Sequence, residues 1–319
     1  MPAVSYKGRT VEVQPGESVL DGLLRHDVAV PHACKAGSCG SCLLRGVEGA
    51  VPAQAQLGLK DSWKARGYFL ACQCRPETDL VVEVAGSGTR VAAEIVSMQQ
   101  LTHNVMRVRL ACLAPFEFRP GQYVSLLRED GLARSYSIAS LNTEAEIELH
   151  VRRVRDGLMS NWLFDAALPG DRVHLQGPFG ECFYTPGREQ QPLLLIGTGT
   201  GLAPLYGIVR DALQRGHSGP IHLIHGALRS ADLYLRQELQ ELVAINYTAS
   251  VLETSESGDY YTGPLDLLIA ERFQKLAGWR GFVCGDPAIV QSLRRKLFLA
   301  GMAMNDILAD AFVPAANMV

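Results

Sequence analysis

Five of the eight cysteines in this 319-residue chain lie between Cys34 and Cys74, and three of them crowd one glycine-containing loop. A secreted disulfide scaffold would be shorter and would carry cysteines at high density throughout. The first residues have neither the basic nor the apolar segment of a signal peptide, which predicts a cytoplasmic protein with reduced thiols. The clustering therefore predicts a metal centre confined to one small domain.

The loop cysteines Cys34, Cys39 and Cys42 have C-x4-C-x2-C spacing, which is typical of a [2Fe–2S] site of the plant type. Two irons bridged by sulfide need four thiolates, and a loop supplies three only if its backbone bends closely around the cluster. Gly37 and Gly40 permit that bend and let backbone N–H groups point at the sulfurs. A zinc site and buried free thiols are the alternatives, although zinc loops usually pair two short knuckles.

The fourth ligand is ambiguous, because Cys72 and Cys74 are separated by a single residue. Cys72 follows Cys42 after 29 intervening residues, and Cys74 follows it after 31. Cys72 precedes Pro76 by four positions, which resembles the ligand segment of plant-type ferredoxins. We therefore predict Cys72 as the fourth metal ligand and keep Cys74 as the alternative.

The length of the chain and its changes in pattern predict three domains, at residues 1–88, 89–187 and 188–319. The segment 85–89 has the composition of a linker. Short strands separated by turn signals predict a small barrel in the middle segment. In the last segment, an apolar run at 193–196 and later strands alternate with helical patterns, which predicts a parallel α/β sheet.

Composition argues against two classes of function. The net charge of −3 and the pI of about 6.3 provide no basic surface for nucleic acid. Mean hydropathy is +0.06, and no uninterrupted apolar stretch approaches the roughly 18 residues of a membrane helix. We therefore expect neither a nucleic-acid partner nor a membrane span.

A second motif, Arg134-Ser135-Tyr136-Ser137, resembles the R-x-Y-S signature of the ferredoxin–NADP reductase superfamily. The tetrapeptide is short, but it lies in the family's order between Arg119-Pro120-Gly121 and Gly177-Pro178-Phe179-Gly180. An arginine can bind a flavin pyrophosphate through paired hydrogen bonds, and a helix N-terminus favours the same anion. The resemblance implies flavin contacts from Arg134, Ser135, Tyr136, Ser137, His150, Val151, Gly157, Met159 and Ser160.

A third motif, Gly197-Thr198-Gly199-Thr200-Gly201, follows the apolar run. Its alternating glycines allow a tight turn and a close approach of the backbone to a pyrophosphate. It does not fit G-x-G-x-x-G, but with Pro204 it resembles the superfamily's G-x-G-x-G-x-x-P loop. Arg229, in the turn after the next predicted strand, is placed to contact the 2′-phosphate of NADPH, whereas analogy with bacterial oxygenase reductases favours NADH.

Two C-terminal segments extend the resemblance. Val283-Cys284-Gly285-Asp286-Pro287 resembles the family's C-G-x-P stretch, which implies that Cys284 and Gly285 lie at the nicotinamide. Asp310-Ala311-Phe312 resembles its terminal acidic–aromatic element, which implies that Phe312 covers the flavin. Cys284, Tyr136 and Ser137 are thereby implied as catalytic residues.

The whole chain resembles the reductase component of bacterial multicomponent oxygenases of the naphthalene dioxygenase or methane monooxygenase type. This implies a multidomain α+β and α/β fold: a β-grasp ferredoxin domain, a six-stranded antiparallel β-barrel for flavin and a parallel α/β nucleotide-binding domain. It also implies electron transfer from NAD(P)H through FAD and a [2Fe–2S] cluster to a Rieske or di-iron oxygenase, or to an intermediate ferredoxin. A reductase for a non-oxygenase acceptor, such as a deoxysugar dehydrase, and a redox-sensing binding protein are the alternatives.

Overall fold

The computed structural model describes residues 1–85, 89–253 and 258–313, so the middle of the predicted linker, residues 86–88, lies outside the described residues. The N-terminal unit is a mixed sheet of order β2-β1-β5-β3-β4, packed on a helix in the β-grasp arrangement. Its elements are β1 (Ala3–Tyr6), β2 (Arg9–Glu12), α1 (Val19–Arg25), β3 (Leu43–Glu48), α2 (Asp61–Lys64), β4 (Tyr68–Leu70) and β5 (Leu80–Val84).

Helix α1 begins where the sequence provides a cap. The Ser18 hydroxyl accepts the Asp21 backbone N–H at 3.1 Å, which satisfies one donor of the first turn. Val19, Leu20 and Leu23 share the buried face of α1 and join the hydrophobic core under the sheet. The cysteine loop at 34–42 runs from this helical region to β3 at one end of the sheet.

The middle unit is an antiparallel sheet of six strands in the order β10-β7-β6-β11-β8-β9. A bridge between Ile138 and Leu149 connects the two edge strands, which closes the sheet into a barrel. Its elements are β6 (Arg90–Gln100), β7 (Val105–Cys112), β8 (Tyr123–Leu127), β9 (Ala133–Ser137), β10 (Ile147–Arg152), α3 (Leu158–Asp165) and β11 (Arg172–Phe179).

The C-terminal unit is a parallel sheet of order β15-β14-β13-β12-β16-β17 with helices between the strands. Strand order reverses at β12, which has β13 on one side and β16 on the other; ligands bind in open α/β sheets at such a switch point. Its elements are β12 (Leu193–Thr198), α4 (Leu202–Gln214), β13 (Ile221–Ala227), α5 (Arg236–Gln240), β14 (Asn246–Val251), β15 (Tyr261–Thr262), α6 (Leu265–Arg272), β16 (Arg280–Gly285), α7 (Pro287–Leu299) and β17 (Ile307–Ala311).

The predicted fold class is confirmed in all three units. Among the described residues, no helix combines the length and the apolar composition that crossing a bilayer requires. The units also share packing, because Phe179 at the end of β11 joins the hydrophobic core of the N-terminal unit. Its ring meets Trp63 edge-on, with centroids 5.5 Å apart, and stacks on Tyr123 at 5.6 Å.

Candidate functional site

The four predicted ligand cysteines form two pairs of neighbouring thiols. Hydrogen bonding between the Cys34 and Cys39 thiols lowers the pKa of Cys34 to about 4 and raises that of Cys39. Likewise, Cys42 and Cys72 interact, which raises the pKa of Cys42 and lowers that of Cys72 to about 7. Two pairs of thiols fit two irons better than one tetrahedral zinc.

The two candidates for the fourth ligand have different surroundings. Cys72 Sγ accepts a hydrogen bond from Gln73 Nε2 at 3.6 Å and another from the backbone N–H of Gly37. Cys74 is fully buried in the hydrophobic core, and burial raises the pKa of its thiol to about 12. Gly37 has a φ of +80°, and a Cβ there would lie 2.8 Å from the Gln73 side chain. These contacts favour Cys72, with the glycine loop folded closely over it.

The cysteine loop is docked on the flavin barrel. A Cβ on Gly40 would lie 2.4 Å from the Phe179 ring, so only glycine allows this approach. Hydrogen bonds join the loop to three barrel strands: Ser41 Oγ with Ser125 Oγ (2.7 Å), Ser135 Oγ to the Cys39 carbonyl (2.9 Å), Gln176 Nε2 to the Gly40 carbonyl (2.8 Å) and Tyr123 Oη to the Ser38 carbonyl. The signature residue Ser135 therefore holds the cluster loop as well as lining the cleft described next.

One cleft of about 1220 Å³ is lined by residues of all three units. The cluster loop contributes Gly37, Ser38, Cys39 and Gly40; the barrel contributes Arg134, Ser135, Tyr136, Ser137, His150, Gly157, Met159 and Ser160; and the nucleotide-binding unit contributes Thr200, Ala203, Asp310 and Phe312. Sequence motifs that are far apart in the chain thus meet around one cavity. An elongated cofactor in this cleft would reach from the cluster loop to the nucleotide-binding unit.

The part of the cleft beside α3 is built to receive an anion. Arg134 is half-buried, donates to the Ala133 carbonyl at 2.7 Å and has no carboxylate partner among the described residues. Gly157 caps α3, and a Cβ there would lie 2.6 Å from Ser160 Oγ. A guanidinium without a counter-ion, next to a helix N-terminus, fits a flavin pyrophosphate.

The glycine motif packs against the C-G-x-P stretch at the carboxyl ends of β12 and β16. A Cβ on Gly201 would lie 2.2 Å from the Cys284 carbonyl, and one on Gly285 would lie 2.3 Å from Thr198 Oγ1. Thr198 Oγ1 also accepts the Asp286 backbone N–H at 3.2 Å. The glycines are therefore needed to bring the two loops together at the switch point of the sheet, where a dinucleotide would bind.

Ser137 and Asp310 line the cleft together, and Cys284 lies beside Asp310, although the three residues come from distant parts of the chain. Ser137 Oγ donates to Asp310 Oδ2 at 3.0 Å, and Asp310 is the ladder partner of Cys284 between β16 and β17. Burial raises the pKa of Asp310 to about 6, against the opposing hydrogen bond from Ser137. The sequence analysis gave Asp310 no role of its own, and its resemblance to an acidic–aromatic element was the only signal.

Three family models match the chain in this order: "2Fe-2S iron-sulfur cluster binding domain" at residues 3–77, "Oxidoreductase FAD-binding domain" at 92–184 and "Oxidoreductase NAD-binding domain" at 195–295. The chain is 33% identical to the ferredoxin–NAD(P)+ reductase component of the naphthalene 1,2-dioxygenase system of Pseudomonas putida, over 98% of both chains. It belongs to the family of NAD(P)H-dependent flavin iron–sulfur reductases. The reductase is also 35% identical to the reductase subunit of an Amycolatopsis aromatic O-demethylase, over 98% of this chain and 99% of that protein.

Solved structures agree with this family. An Amycolatopsis cytochrome P450 reductase has a TM-score of 0.70 at 33% identity, covering 99% of the reductase and 100% of that chain. The ferredoxin reductase of carbazole 1,9a-dioxygenase also has a TM-score of 0.70, at 27% identity and 98% coverage of both chains. The predicted cofactors, FAD, a [2Fe–2S] cluster and NAD(P)H, are confirmed as those of the matched domains.

Some predicted site residues lie away from the cleft surface. Val151 is fully buried in the barrel core, because side chains alternate along β10 and its neighbour His150 takes the cleft side. Arg229 is exposed in the turn after β13. Among the described residues that line the cleft, Cys182 is included whereas Cys284 is not, and their sulfurs are 3.6 Å apart. No sequence pattern connected Cys182 with Cys284.

His150 belongs to a buried polar network between the barrel and the nucleotide-binding unit. Its Nε2 lies 2.9 Å from Glu148 Oε1, and its Nδ1 lies 3.2 Å from the Tyr234 hydroxyl. Burial lowers the pKa of His150, and the hydrogen bond and charge of Glu148 oppose that shift. Burial opposes ionisation of Glu148, but His150, Arg107 and Arg109 together lower its pKa to about 2. This network fixes the wall of the cleft on which His150 lies.

Proposed function

We propose that this reductase transfers electrons from NADH to the oxygenase component of a multicomponent oxygenase in the cytoplasm. The observation that carries the proposal is the single cleft, which is lined by the cluster loop, the flavin signature and the end of the nucleotide-binding sheet. FAD bound there would accept a hydride from NADH and release electrons one at a time to the [2Fe–2S] cluster. The residues of the chain bind and orient these groups.

Each wall of the cleft has a distinct task. Arg134 and the N-terminus of α3 would hold the pyrophosphate of FAD, and Tyr136, which lines the same cleft from β9, would pack on its ring. The glycine loop at 197–201 receives the pyrophosphate of NADH at the carboxyl end of β12. Cys34, Cys39, Cys42 and Cys72 hold the cluster against the barrel.

Ser137, Asp310 and Cys284 organise the place where nicotinamide and flavin meet. The Ser137 hydroxyl is oriented by its hydrogen bond to Asp310, and Asp310 holds or releases a proton near pH 6. Phe312, whose backbone N–H donates to the Gly285 carbonyl at 2.8 Å, shields the cleft from water until NADH enters. These three residues and Phe312 therefore form the candidate hydride-transfer site.

NADH is the proposed donor, in preference to NADPH. Arg229 is the cation available for a 2′-phosphate, but its own backbone N–H is bound by the Asp232 carboxylate at 3.2 Å. Asp232 Oδ1 also accepts a hydrogen bond from Asn104 at 3.1 Å, which fixes the carboxylate in that turn. A bound 2′-phosphate would meet this negative charge, so kcat/KM is expected to be higher for NADH than for NADPH.

The acceptor is proposed from the relatives' names and from the surface around the cluster. Named relatives serve a naphthalene dioxygenase, an aromatic O-demethylase and a phenol hydroxylase. In the cluster loop, Lys35 and Ala36 are exposed, and Lys35 pairs with Asp21 at 3.0 Å, so this face is not strongly charged. We infer a Rieske or di-iron oxygenase, or an intermediate ferredoxin, as the acceptor; the similarity to a cytochrome P450 reductase makes a P450 the second candidate.

Reconstitution tests the proposal. Each candidate acceptor, Rieske, di-iron or P450, is mixed with the purified holoenzyme, and NADH consumption is compared with product formed from the acceptor's organic substrate. One acceptor class should give product in proportion to NADH, while the Cys39→Ser variant keeps NADH–ferricyanide activity and gives no product. Slow NADH–ferricyanide turnover by the wild-type holoenzyme would instead favour a redox sensor.

A further inference from the structure

Two cysteines outside the cluster loop are in contact at the edge of the cofactor cleft. Cys182 Sγ and Cys284 Sγ lie 3.6 Å apart although the residues are 102 positions apart in the chain. Cys182 follows the last barrel strand, and Cys284 lies in β16 of the nucleotide-binding unit. We propose that these two thiols form a reversible disulfide that switches off hydride transfer when the reductase meets a hydroperoxide.

The geometry requires a small movement. The sulfur atoms must approach from 3.6 Å to about 2.0 Å, the length of a disulfide. Cys284 is held in the sheet, where its neighbours are Gly197 on β12 and Asp310 on β17. Cys182 lies in irregular backbone beyond β11, so this segment makes the approach. The two sulfur atoms are already in contact, so the movement needed is about 1.6 Å between them.

The position of each thiol assigns its part in the reaction. Cys182 lines the cleft and therefore meets a small oxidant that enters it. Cys284 lies behind Cys182, and burial together with this neighbour raises its pKa well above the usual range. Cys182 is thus the thiol that is oxidised first, and Cys284 is the thiol that resolves the product.

The chemistry balances with hydrogen peroxide as the oxidant. Cys182 sulfur attacks one peroxide oxygen, the O–O bond breaks, and a sulfenic acid and one water are formed. Cys284 sulfur then attacks the Cys182 sulfur, the S–O bond breaks, and a second water leaves with the thiol proton. Two thiols lose two electrons and two protons, and one peroxide becomes two waters. Intracellular disulfides of this kind are usually transient and sense redox state.

The disulfide would act directly on the candidate hydride-transfer site. Cys284 is the ladder partner of Asp310, which binds the Ser137 hydroxyl. A bond to Cys284 draws the segment of Cys182 toward β16 and ties the barrel to the nucleotide-binding unit beside the nicotinamide position. This effect on activity rests on the proposed function, whereas formation of the disulfide does not.

Peptide mass analysis tests the bond itself. The holoenzyme is treated with hydrogen peroxide, denatured, alkylated and digested with trypsin without reduction. Cleavage after Arg172, Arg188, Arg280 and Arg294 gives peptides 173–188 and 281–294, each with one cysteine. We expect these peptides linked, with a mass lower by two hydrogens than their sum, and separated by dithiothreitol. Alkylation of both cysteines at oxidant doses that leave the visible cluster spectrum intact would overturn the proposal.

Activity before and after oxidation tests the switch. In the wild type, NADH–ferricyanide activity after peroxide treatment should be about tenfold lower than before it, and dithiothreitol should restore it. The reason is that a displacement of about 1 Å at a reacting centre can cost about 100-fold in rate. In Cys182→Ala the ratio of these two activities should stay near one, and Cys112→Ala, which removes a half-buried thiol of β7, should behave as wild type. Equal losses in wild type and Cys182→Ala would refute the switch. Absent turnover before oxidation would refute the proposed function, while the linked peptides would still decide the disulfide.

Discussion

Asp310 is the residue whose ionisation should control the pH dependence of hydride transfer. Burial raises its pKa to about 6, and the ionised carboxylate accepts the hydrogen bond that orients Ser137. As pH falls below about 6, the carboxyl is protonated and this orientation is lost. We expect kcat/KM for NADH, measured with ferricyanide, to fall by up to about tenfold per pH unit below that point.

The Asp310→Asn variant should have lower activity without this inflection. Asp306→Asn is the matched control, because Asp306 lies just before β17 and pairs with Arg188 at 3.2 Å, outside the cleft. It should keep the wild-type profile. An inflection near pH 6 that survives in Asp310→Asn would assign the titration to another group.

A second prediction for single residues concerns which of Cys72 and Cys74 is the fourth ligand of the cluster. Both thiols lie in the same hydrophobic core, but Cys72 interacts with Cys42 and accepts hydrogen bonds from Gln73 and Gly37, whereas burial alone acts on Cys74 and keeps its thiol protonated. Cys74→Ser should therefore retain the visible absorption of the cluster at wild-type iron content, and Cys72→Ser should lose it. The measurement is the absorption spectrum with iron and sulfide analysis, and the opposite pattern would make Cys74 the ligand.

Strands β7 and β10 carry the buried charge network that supports the cleft wall. Glu148 lies 3.2 Å from both Arg107 and Arg109 and 2.9 Å from His150. Breaking a buried ion pair costs about 3 kcal/mol or more, so Glu148→Gln should lower the melting temperature by several degrees at pH 7. Glu94→Gln, which breaks the exposed pair with Arg172, should cost less than about 1 kcal/mol.

The difference in melting temperature between wild type and Glu148→Gln should depend on pH, because the pKa of Glu148 is lowered by folding. The pKa of Glu148 is lowered from 4.5 to about 2 in the folded protein, so its ionised form is stabilised by folding. The contribution is fully present above pH 4.5 and is lost as pH falls toward 2. The gap in melting temperature between wild type and Glu148→Gln should therefore narrow over that range; a constant gap would show that the charge of Glu148 contributes nothing.

The strands that the sequence predicted and the strands that it did not predict differ in how they are buried. β12 is covered on both faces and appears as the apolar run 193–196. β9 was recognised only as a motif, because Arg134, Ser135 and Tyr136 line a cleft and give no apolar alternation. β15 has only two residues and depends on its neighbour β14. Local pattern thus predicted the domains and most of their strands, while β9, whose side chains line the cleft, lacked it.

Some of the long-range contacts in the site were predicted from the sequence and others were not. The flavin motifs supplied Arg134 and Gly157, the nucleotide motif supplied Thr200, and all three line one cleft. The pairing of Ser137 with Asp310 joins residues 173 positions apart, and no periodicity reports such a contact. The contact between Cys182 and Cys284 is of the same kind. Tertiary packing decides these pairs, so a single sequence without an alignment does not predict them.

At the scale of the whole molecule, Gln176 joins the cluster loop to the barrel, and electron transfer should depend on this attachment. Gln176 is fully buried, donates to the Gly40 carbonyl at 2.8 Å and accepts from Arg90 at 2.6 Å. Gln176→Leu leaves the Gly40 carbonyl with the Leu43 backbone N–H at 3.2 Å and takes away the acceptor of Arg90 Nε, at a cost of about 1–3 kcal/mol, and so loosens the loop beside the flavin. Hydride transfer uses other walls of the cleft, so only the transfer of electrons to the cluster should suffer.

Ferricyanide is used here as the acceptor of electrons from the flavin, and cytochrome c as the acceptor of electrons from the cluster. We therefore expect Gln176→Leu to keep near-wild-type NADH–ferricyanide activity while its NADH–cytochrome c activity falls several-fold. Gln237→Leu is the control, since Gln237 is exposed on α5 and its Nε2 donates to Glu241, the exposed residue that follows the helix, at 3.1 Å. It should leave both activities unchanged. A parallel fall of both activities in Gln176→Leu would mean that this glutamine supports the flavin site itself. Unchanged cytochrome c reduction would mean that the cluster unit works without this contact, and that the docked arrangement is not required for electron transfer.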